Sequence, residues 1–246
     1  MELNEEDLAI HEWQLDIPGL GEEGQQILKG TKALISRCGG LGSPVAFSLA
    51  SAGVGELVLA HAGQLKHSDY NRQIGMAYED LNKTRVNSIV KTLQRYKPSI
   101  KVKGVEENIH ADNAADLVSE VDLVFSCAPL FEERFAMNQA CVEQNKPMVD
   151  ASMYSMEGQV LVVIPGKTAC LSCVYPEDPP AWKRKFPVLG AVSALAAQIA
   201  VLEGIKLLTA CGDVLTNEML YYDTTNMSFR KIPTRRRPDC PICGHL

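Results

Sequence analysis

Between residues 33 and 151 the chain alternates short apolar runs with stretches of helical spacing, and the first run empties into a glycine turn. Ala33-Leu-Ile-Ser-Arg-Cys38 reads as a strand and Gly39-Gly40-Leu41-Gly42 as a tight turn. Ser43 and Pro44 follow as N-cap and first residue of an apolar helix that stops at Gly53. Further strands are expected at 56–61, 100–105, 121–127 and 147–151. Helices are expected at 82–96, with Val86, Ile89, Val90 and Leu93 on one face, and at 131–144. Such βαβ alternation predicts a doubly wound, mostly parallel α/β sheet that binds ligands at the carboxyl ends of its strands. The pattern then changes: 158–165, 218–223 and 228–233 read as antiparallel strands, with a long apolar helix near 188–209 between them. The proline-rich stretch 176–187, with Lys183, Arg184 and Lys185, is expected to be a mobile loop.

A chain of 246 residues, 46% hydrophobic and 22% charged, can bury a sizeable core, which excludes disordered, collagenous and coiled-coil classes. No uninterrupted apolar run approaches the roughly 20 residues that span a bilayer, so no membrane association is expected. The acidic start, Met1-Glu2-Leu3-Asn4-Glu5-Glu6-Asp7, lacks the basic and apolar segments of a signal peptide, and the expectation is a cytoplasmic protein. Residues 1–30 carry eight acidic side chains and one Lys, which accounts for the net charge of −6. The basic cluster Arg230, Lys231, Arg235, Arg236 and Arg237 reads as solvated strand and loop, and no nucleic acid partner is implied.

Four of the eight cysteines form two C-x-x-C pairs, Cys170-Leu-Ser-Cys173 and Cys240-Pro-Ile-Cys243. In a reducing compartment, two such pairs supply the four thiolates of a structural zinc site, which would tie the C-terminal tail to a mid-chain loop. Redox dithiols are the rival reading. Cys38, Cys127, Cys141 and Cys211 stand singly in apolar surroundings and read as buried core thiols.

A glycine-rich strand-to-helix turn lets backbone N–H groups approach a phosphate. The dinucleotide fingerprint would need Gly at 37, where Arg37 stands, and an acid at the end of the second strand, where His61 stands. A conventional NAD enzyme is disfavoured on both counts. Arg37 either meets a phosphate or fills the pocket, and His61 either caps its strand or touches a ligand. Trp13 is expected in the core or at a subunit interface, and Tyr70, Tyr221 and Tyr222 are expected to serve packing.

Several motifs recur here in a fixed order: Pro18-Gly-Leu-Gly-Glu-Glu-Gly-Gln25, Gly39-Gly-Leu-Gly-Ser-Pro-Val-Ala46, Ser51-Ala-Gly-Val-Gly55, Asn71-Arg72-Gln73 and Met156-Glu-Gly-Gln159, then the C-x-x-C pairs. With them the chain resembles the ThiF/MoeB/HesA family, bacterial relatives of the ubiquitin-activating enzymes, from about residue 7 to its end. The resemblance implies one adenylation-type domain over 1–246: an N-terminal helical segment (1–30), a nucleotide-binding half (31–152) and an antiparallel, zinc-bearing half (153–246).

The chemistry so implied is attack of a carboxylate, usually the C-terminus of a ubiquitin-like sulfur-carrier protein, on the α-phosphate of ATP with Mg²⁺. The partners implied are that carrier and a second subunit, as a homodimer or a heterodimer with a paralogue. Gly39, Gly40, Leu41, Gly42, His61, Asn71, Arg72 and Arg85 would line the nucleotide site, with Arg72 and Arg85 acting on the phosphates.

Several family positions are changed. The segment Ile10-His11-Glu12-Trp13-Gln14 lacks the arginine that reaches a partner's site, and His61 replaces the ribose acid. Arg85 stands for a lysine, and Pro129, in Cys127-Ala128-Pro129-Leu130, takes the place of the magnesium acid. Glu132 and Asp69 are the nearby carboxylates available to stand in for it. No cysteine lies between Cys173 and Cys211, where many relatives place a nucleophile. Two functions follow from this: an adenylyltransferase with a remodelled site, or a non-catalytic relative that binds a nucleotide, carrier or paralogous subunit.

Overall fold

Strands β1 (Lys32–Ser36), β2 (Glu56–Ala60), β3 (Lys101–Val105), β4 (Leu123–Ser126) and β5 (Met148–Tyr154) pair in parallel in the order β3-β2-β1-β4-β5. The same sheet continues antiparallel through β6 (Glu157–Val163), β7 (Glu218–Asp223) and β8 (Ser228–Pro233). This is the mostly parallel Rossmann-like sheet with antiparallel C-terminal strands that the sequence predicts. The computed structural model describes residues 1–177 and 186–246, so most of the loop expected at 176–187, including Lys183, Arg184 and Lys185, lies outside the described residues.

Helices cover both faces, which is why β1, β2 and β4 read as continuous apolar runs rather than alternating ones. On one face Ala33, Ile35, Leu57, Leu59 and Phe125 pack with residues of α2 (Gly21–Gly30), α3 (Gly42–Ala52), α4 (Arg85–Tyr96) and α8 (Gly190–Thr209). On the other, Leu34, Val58 and Val124 meet α5 (Ala111–Ser119), α6 (Phe131–Glu143) and the four C-x-x-C cysteines, beside the short α7 (Leu171–Val174). Odd and even residues of β1 thus serve separate cores, as the period of two requires. The acidic N-terminal segment forms α1 (Glu5–Leu15), closed by a capping box between Asn4 and Asp7, and then α2.

Local geometry corrects several boundaries. β1 ends at Ser36 rather than Cys38 because Arg37 adopts φ 60° and turns the chain, although its N–H still donates to Ala60 O at 2.7 Å. The helix after the turn starts at Gly42, one residue before the expected Ser43 cap. Ser43 does not cap it: its hydroxyl donates to Cys38 O at 2.7 Å. α3 stops at Gly53, whose φ of 95° closes the helix end. The helix expected from 82 begins at Arg85, after the left-handed Asn82.

α5 was not foreseen. Its N-cap is His110, outside the usual Ser/Thr/Asp/Asn set, and it is only nine residues long. Trp13 is 87% exposed and therefore not a core residue. Cys211 is half-buried rather than buried, whereas Cys38, Cys127 and Cys141 are core thiols as expected. Tyr222 is fully buried and donates to Val192 O at 2.7 Å.

By length and mean hydropathy, 1.6, α8 is apolar enough to cross a bilayer, although Gln198, Glu203 and Lys206 interrupt its apolar run. Here it packs on the sheet, and its buried Glu203 pairs with Lys206 and accepts the Leu215 N–H at 2.8 Å.

Candidate active site and metal centre

Because β4 returns beside β1 while β2 and β3 run outward on the other side, a crevice opens where strand order reverses, outside the carboxyl ends. A cavity of about 390 Å³ lies there, within the range of small-ligand sites. The turn after β1, His61 after β2, and Cys127-Ala128-Pro129 after β4 all line it. Of the expected nucleotide residues, Gly39, Gly40, Leu41, His61, Arg72 and Arg85 face this cavity.

Two of the expected residues stand behind the cavity wall. Gly42 is held by the turn itself: a Cβ there would come within 2.0 Å of Arg37 O. Asn71 braces its neighbours, its Oδ1 accepting from Arg72 Nη1 at 2.8 Å and its Nδ2 donating to Val188 O at 3.2 Å. Gly40 is functional in a different way. A Cβ there would meet Arg72 Cγ at 2.9 Å, so glycine lets the arginine lie across the turn.

Arg72 and Arg85 converge on one carboxylate. Asp69, 4% exposed, sits 3.4 Å from Arg72 Nη2 and 2.8 Å from Arg85 Nη2, and accepts the Lys66 N–H at 2.9 Å. The backbone carbonyls of Ser68 and Ala62 hold the two guanidinium groups from behind, at 2.9 and 3.3 Å. Arg37 is clamped by Glu133 through a bidentate pair, so it edges the cavity without filling it.

Next to Glu133 on α6, Arg134 makes a buried bidentate pair with Asp150, at 2.9 and 2.5 Å, and lies 4.4 Å over the Phe131 ring. The sequence offers Asp69 only as a stand-in magnesium ligand and does not single out Glu133 or Arg134. The available signal was the charged run Glu132-Glu133-Arg134 opening a helix directly after a buried strand.

His61 is 5% exposed, and its N–H extends the β2–β3 ladder to Val105 O at 3.0 Å. Burial, then the positive charges of Arg37, Arg85 and Arg72, push its imidazole down to about 3, so the ring is neutral at physiological pH. Its Nδ1 and the Oε1 of buried Gln73 are among the few buried polar side-chain atoms without a partner among the described residues. Both residues line the cavity. Groups orphaned in this way are costly unless a ligand completes them. Glycine turn, arginine pair and orphaned polar atoms together fit an anionic ligand that also carries hydroxyl groups.

The magnesium handle fits less well. Pro129 lines the cavity where the carboxylate is expected, and Glu132 is exposed on α6 and does not line it. Asp69 and Glu133 are both engaged by arginines.

The four C-x-x-C sulfurs meet around α7. They are buried, and all lie within 4.8 Å of one another. Cys170 Sγ is 3.8 Å from Cys173 Sγ and 3.7 Å from Cys240 Sγ, and Cys173 Sγ is 3.3 Å from Cys243 Sγ. Tetrahedral zinc with about 2.3 Å Zn–S bonds implies sulfur separations near 3.8 Å. The cluster therefore fits such an ion, and the Arg237 N–H donates to Cys173 Sγ at 3.3 Å, as a thiolate ligand would favour.

The chain belongs to the ThiF family, whose profile matches residues 11–242. It is 39% identical over 245 residues to Protein HesA of Leptolyngbya boryana, covering 100% of this chain and 88% of that one. It is 31% identical over 253 residues to the sulfur carrier protein adenylyltransferase of Thermus thermophilus, covering 99% and 93%. The fold is shared with E. coli MccB, solved with MccA-N7isoASN (TM-score 0.81) and with ATP (TM-score 0.80). Each MccB structure is 24% identical to this chain, with 90% of this chain and 69% of MccB covered.

Proposed function

We propose that this chain adenylates a carboxylate at the expense of ATP, the acceptor being the C-terminus of a ubiquitin-like sulfur-carrier protein or a small acid. The observation that carries this reading is the convergence of Arg72 and Arg85 on Asp69 beside the glycine turn, at the switch point of the sheet. A guanidinium carries more N–H donors than one carboxylate takes up, so Arg72 and Arg85 can keep Asp69 and still present N–H groups to phosphate oxygens.

In the reaction, a substrate carboxylate oxygen attacks the α-phosphorus. The acyl–O–P bond forms as the bond to the α,β-bridging oxygen breaks, and the electron pair leaves on pyrophosphate. Arg72 and Arg85 neutralise charge on the phosphates, and alignment of the two reactants in the cleft supplies the rest. Neutral His61 offers Nδ1 to a ribose hydroxyl without repelling the phosphates. The sulfur carrier protein adenylyltransferase relationship supports the carrier as acceptor.

The cysteine cluster serves as a structural zinc site that pins the C-terminal tail. A dimer, with itself or a paralogue, is favoured by the exposed apolar Ile10 and Trp13, one helical turn apart on α1.

A second reading, a non-catalytic nucleotide or carrier binder, is favoured by Pro129 and by the commitment of Asp69 and Glu133 to arginines. ATP–pyrophosphate exchange with candidate carboxylates separates the two. Exchange abolished by Arg72→Ala supports adenylation, whereas no exchange with any carrier or acid, from protein that binds ATP, supports the binder.

A further inference from the structure

We infer that this cleft holds a polyphosphate by guanidinium charge alone, so that nucleotide binding is independent of magnesium. The inference rests on the nucleotide-binding part of the reading above.

A magnesium ion takes oxygen ligands in near-octahedral geometry, and proteins usually anchor it through one or two carboxylates. Each carboxylate near the phosphate turn, among the described residues, is unsuited to that task. Asp69 presents Oδ1 to Arg72 and Oδ2 to Arg85, with the Lys66 N–H also on Oδ2. A divalent cation there would have to break both ion pairs and then sit among two guanidinium groups. Glu133 is buried and gives both oxygens to Arg37. After β4 come Cys127, Ala128 and Pro129, which offer no side-chain oxygen. Among the described residues the remaining cavity carboxylate, Glu157, is exposed at the start of β6, three strands away from β1, and is linked to the Tyr221 hydroxyl.

The cations point the same way. Arg37, Arg72 and Arg85 face two carboxylates, Asp69 and Glu133, so one positive charge is in surplus beside the glycine turn. The N-terminus of α3 adds its dipole at the same place. With His61 at the end of β2, that strand brings no acid to oppose the phosphates. A site built in this way suits free ATP, with its full negative charge, at least as well as its magnesium complex.

The test is calorimetric titration of the zinc-loaded protein with ATP, in buffer freed of divalent cations on a chelating resin before the protein is added, and in excess MgCl₂. The expected result is the same affinity in both, within about threefold. Arg37→Gln should weaken binding in the magnesium-free buffer, with Arg72→Gln as the substitute if the first variant does not fold. Pro129→Asp should make binding tighter in magnesium than in the magnesium-free buffer. Wild-type binding seen only with magnesium overturns the inference and leaves the nucleotide reading standing, whereas absence of binding in both buffers overturns the two together. A folded Pro129→Asp chain that remains indifferent to magnesium also overturns the inference, because the position after β4 would then not face the phosphates.

Discussion

The buried pair Arg134–Asp150 gives a sharp test of how α6 is fixed to the sheet. Asp150 is 0% exposed and is held by three donors: Ser126 Oγ at 2.7 Å, Arg134 Nε at 2.9 Å and Arg134 Nη2 at 2.5 Å. Arg134→Met keeps the stem's packing but strands the carboxylate with one hydroxyl. Breaking a buried pair from one side costs about 3–5 kcal/mol, and losing the contact with Phe131 adds up to about 1 kcal/mol. For a chain of this length that is a fall in Tm on the order of 10 °C.

The double replacement Arg134→Met/Asp150→Asn removes both charges and leaves Ser126 an acceptor. It should recover to within about 2 kcal/mol of the wild type. Urea unfolding of the wild type, both single variants and the double variant yields the coupling energy directly. If Arg134→Met costs less than about 1 kcal/mol, or the double variant is no better than the single, the pair is not what holds Asp150 and the reasoning fails. Because Glu133 neighbours Arg134 on the same turn and clamps Arg37, the single variant should also weaken nucleotide binding.

Three further outcomes are expected. Metal analysis should find about one zinc per chain, lost in Cys240→Ala together with ordering of the tail; a metal-free protein of unchanged stability would refute the centre. The His61 ring should stay neutral in NMR titrations from pH 8 down to pH 5. Since its folded value of about 3 lies below the ordinary 6.5, only the unfolded chain takes up this proton between those values. The stability contribution is full above pH 6.5 and is lost as pH falls towards 3, a loss His61→Asn should lessen. Gly42→Ala should cost about 2–3 kcal/mol and displace the turn, because its Cβ would sit 2.0 Å from Arg37 O; a variant with wild-type Tm would refute the close approach.

Much of the fold is legible along the chain because apolar periodicity is a local signal. The ranges 218–223 and 228–233 read from the sequence coincide with β7 and β8, and the central strands fall within two or three residues of expectation at each end. The failures are equally physical. α5 hid behind a histidine cap and a short polar stretch, and β1 stopped early because Arg37 adopts a left-handed backbone that its residue type does not announce. Trp13, expected in the core or at a subunit interface, is turned outward by its helix, which excludes the core alone.

In the cleft, the sequence picks out the glycine turn by its strand-to-helix position, and Arg72, Arg85 and the changed positions His61 and Pro129 through its resemblance to the ThiF/MoeB/HesA family. It also picked out the four cysteines, whose x-x spacing leaves few alternatives. What only the tertiary structure decided is which charge neutralises which. Arg37 meets Glu133 from 96 residues away, and Arg85 meets Asp69 from 16. No local pattern encodes those pairings, because they arise where strand order reverses and distant loops close over one cavity. Burial there makes an unpaired charge too costly to leave, and so the carboxylates nearest the phosphate turn hold arginines.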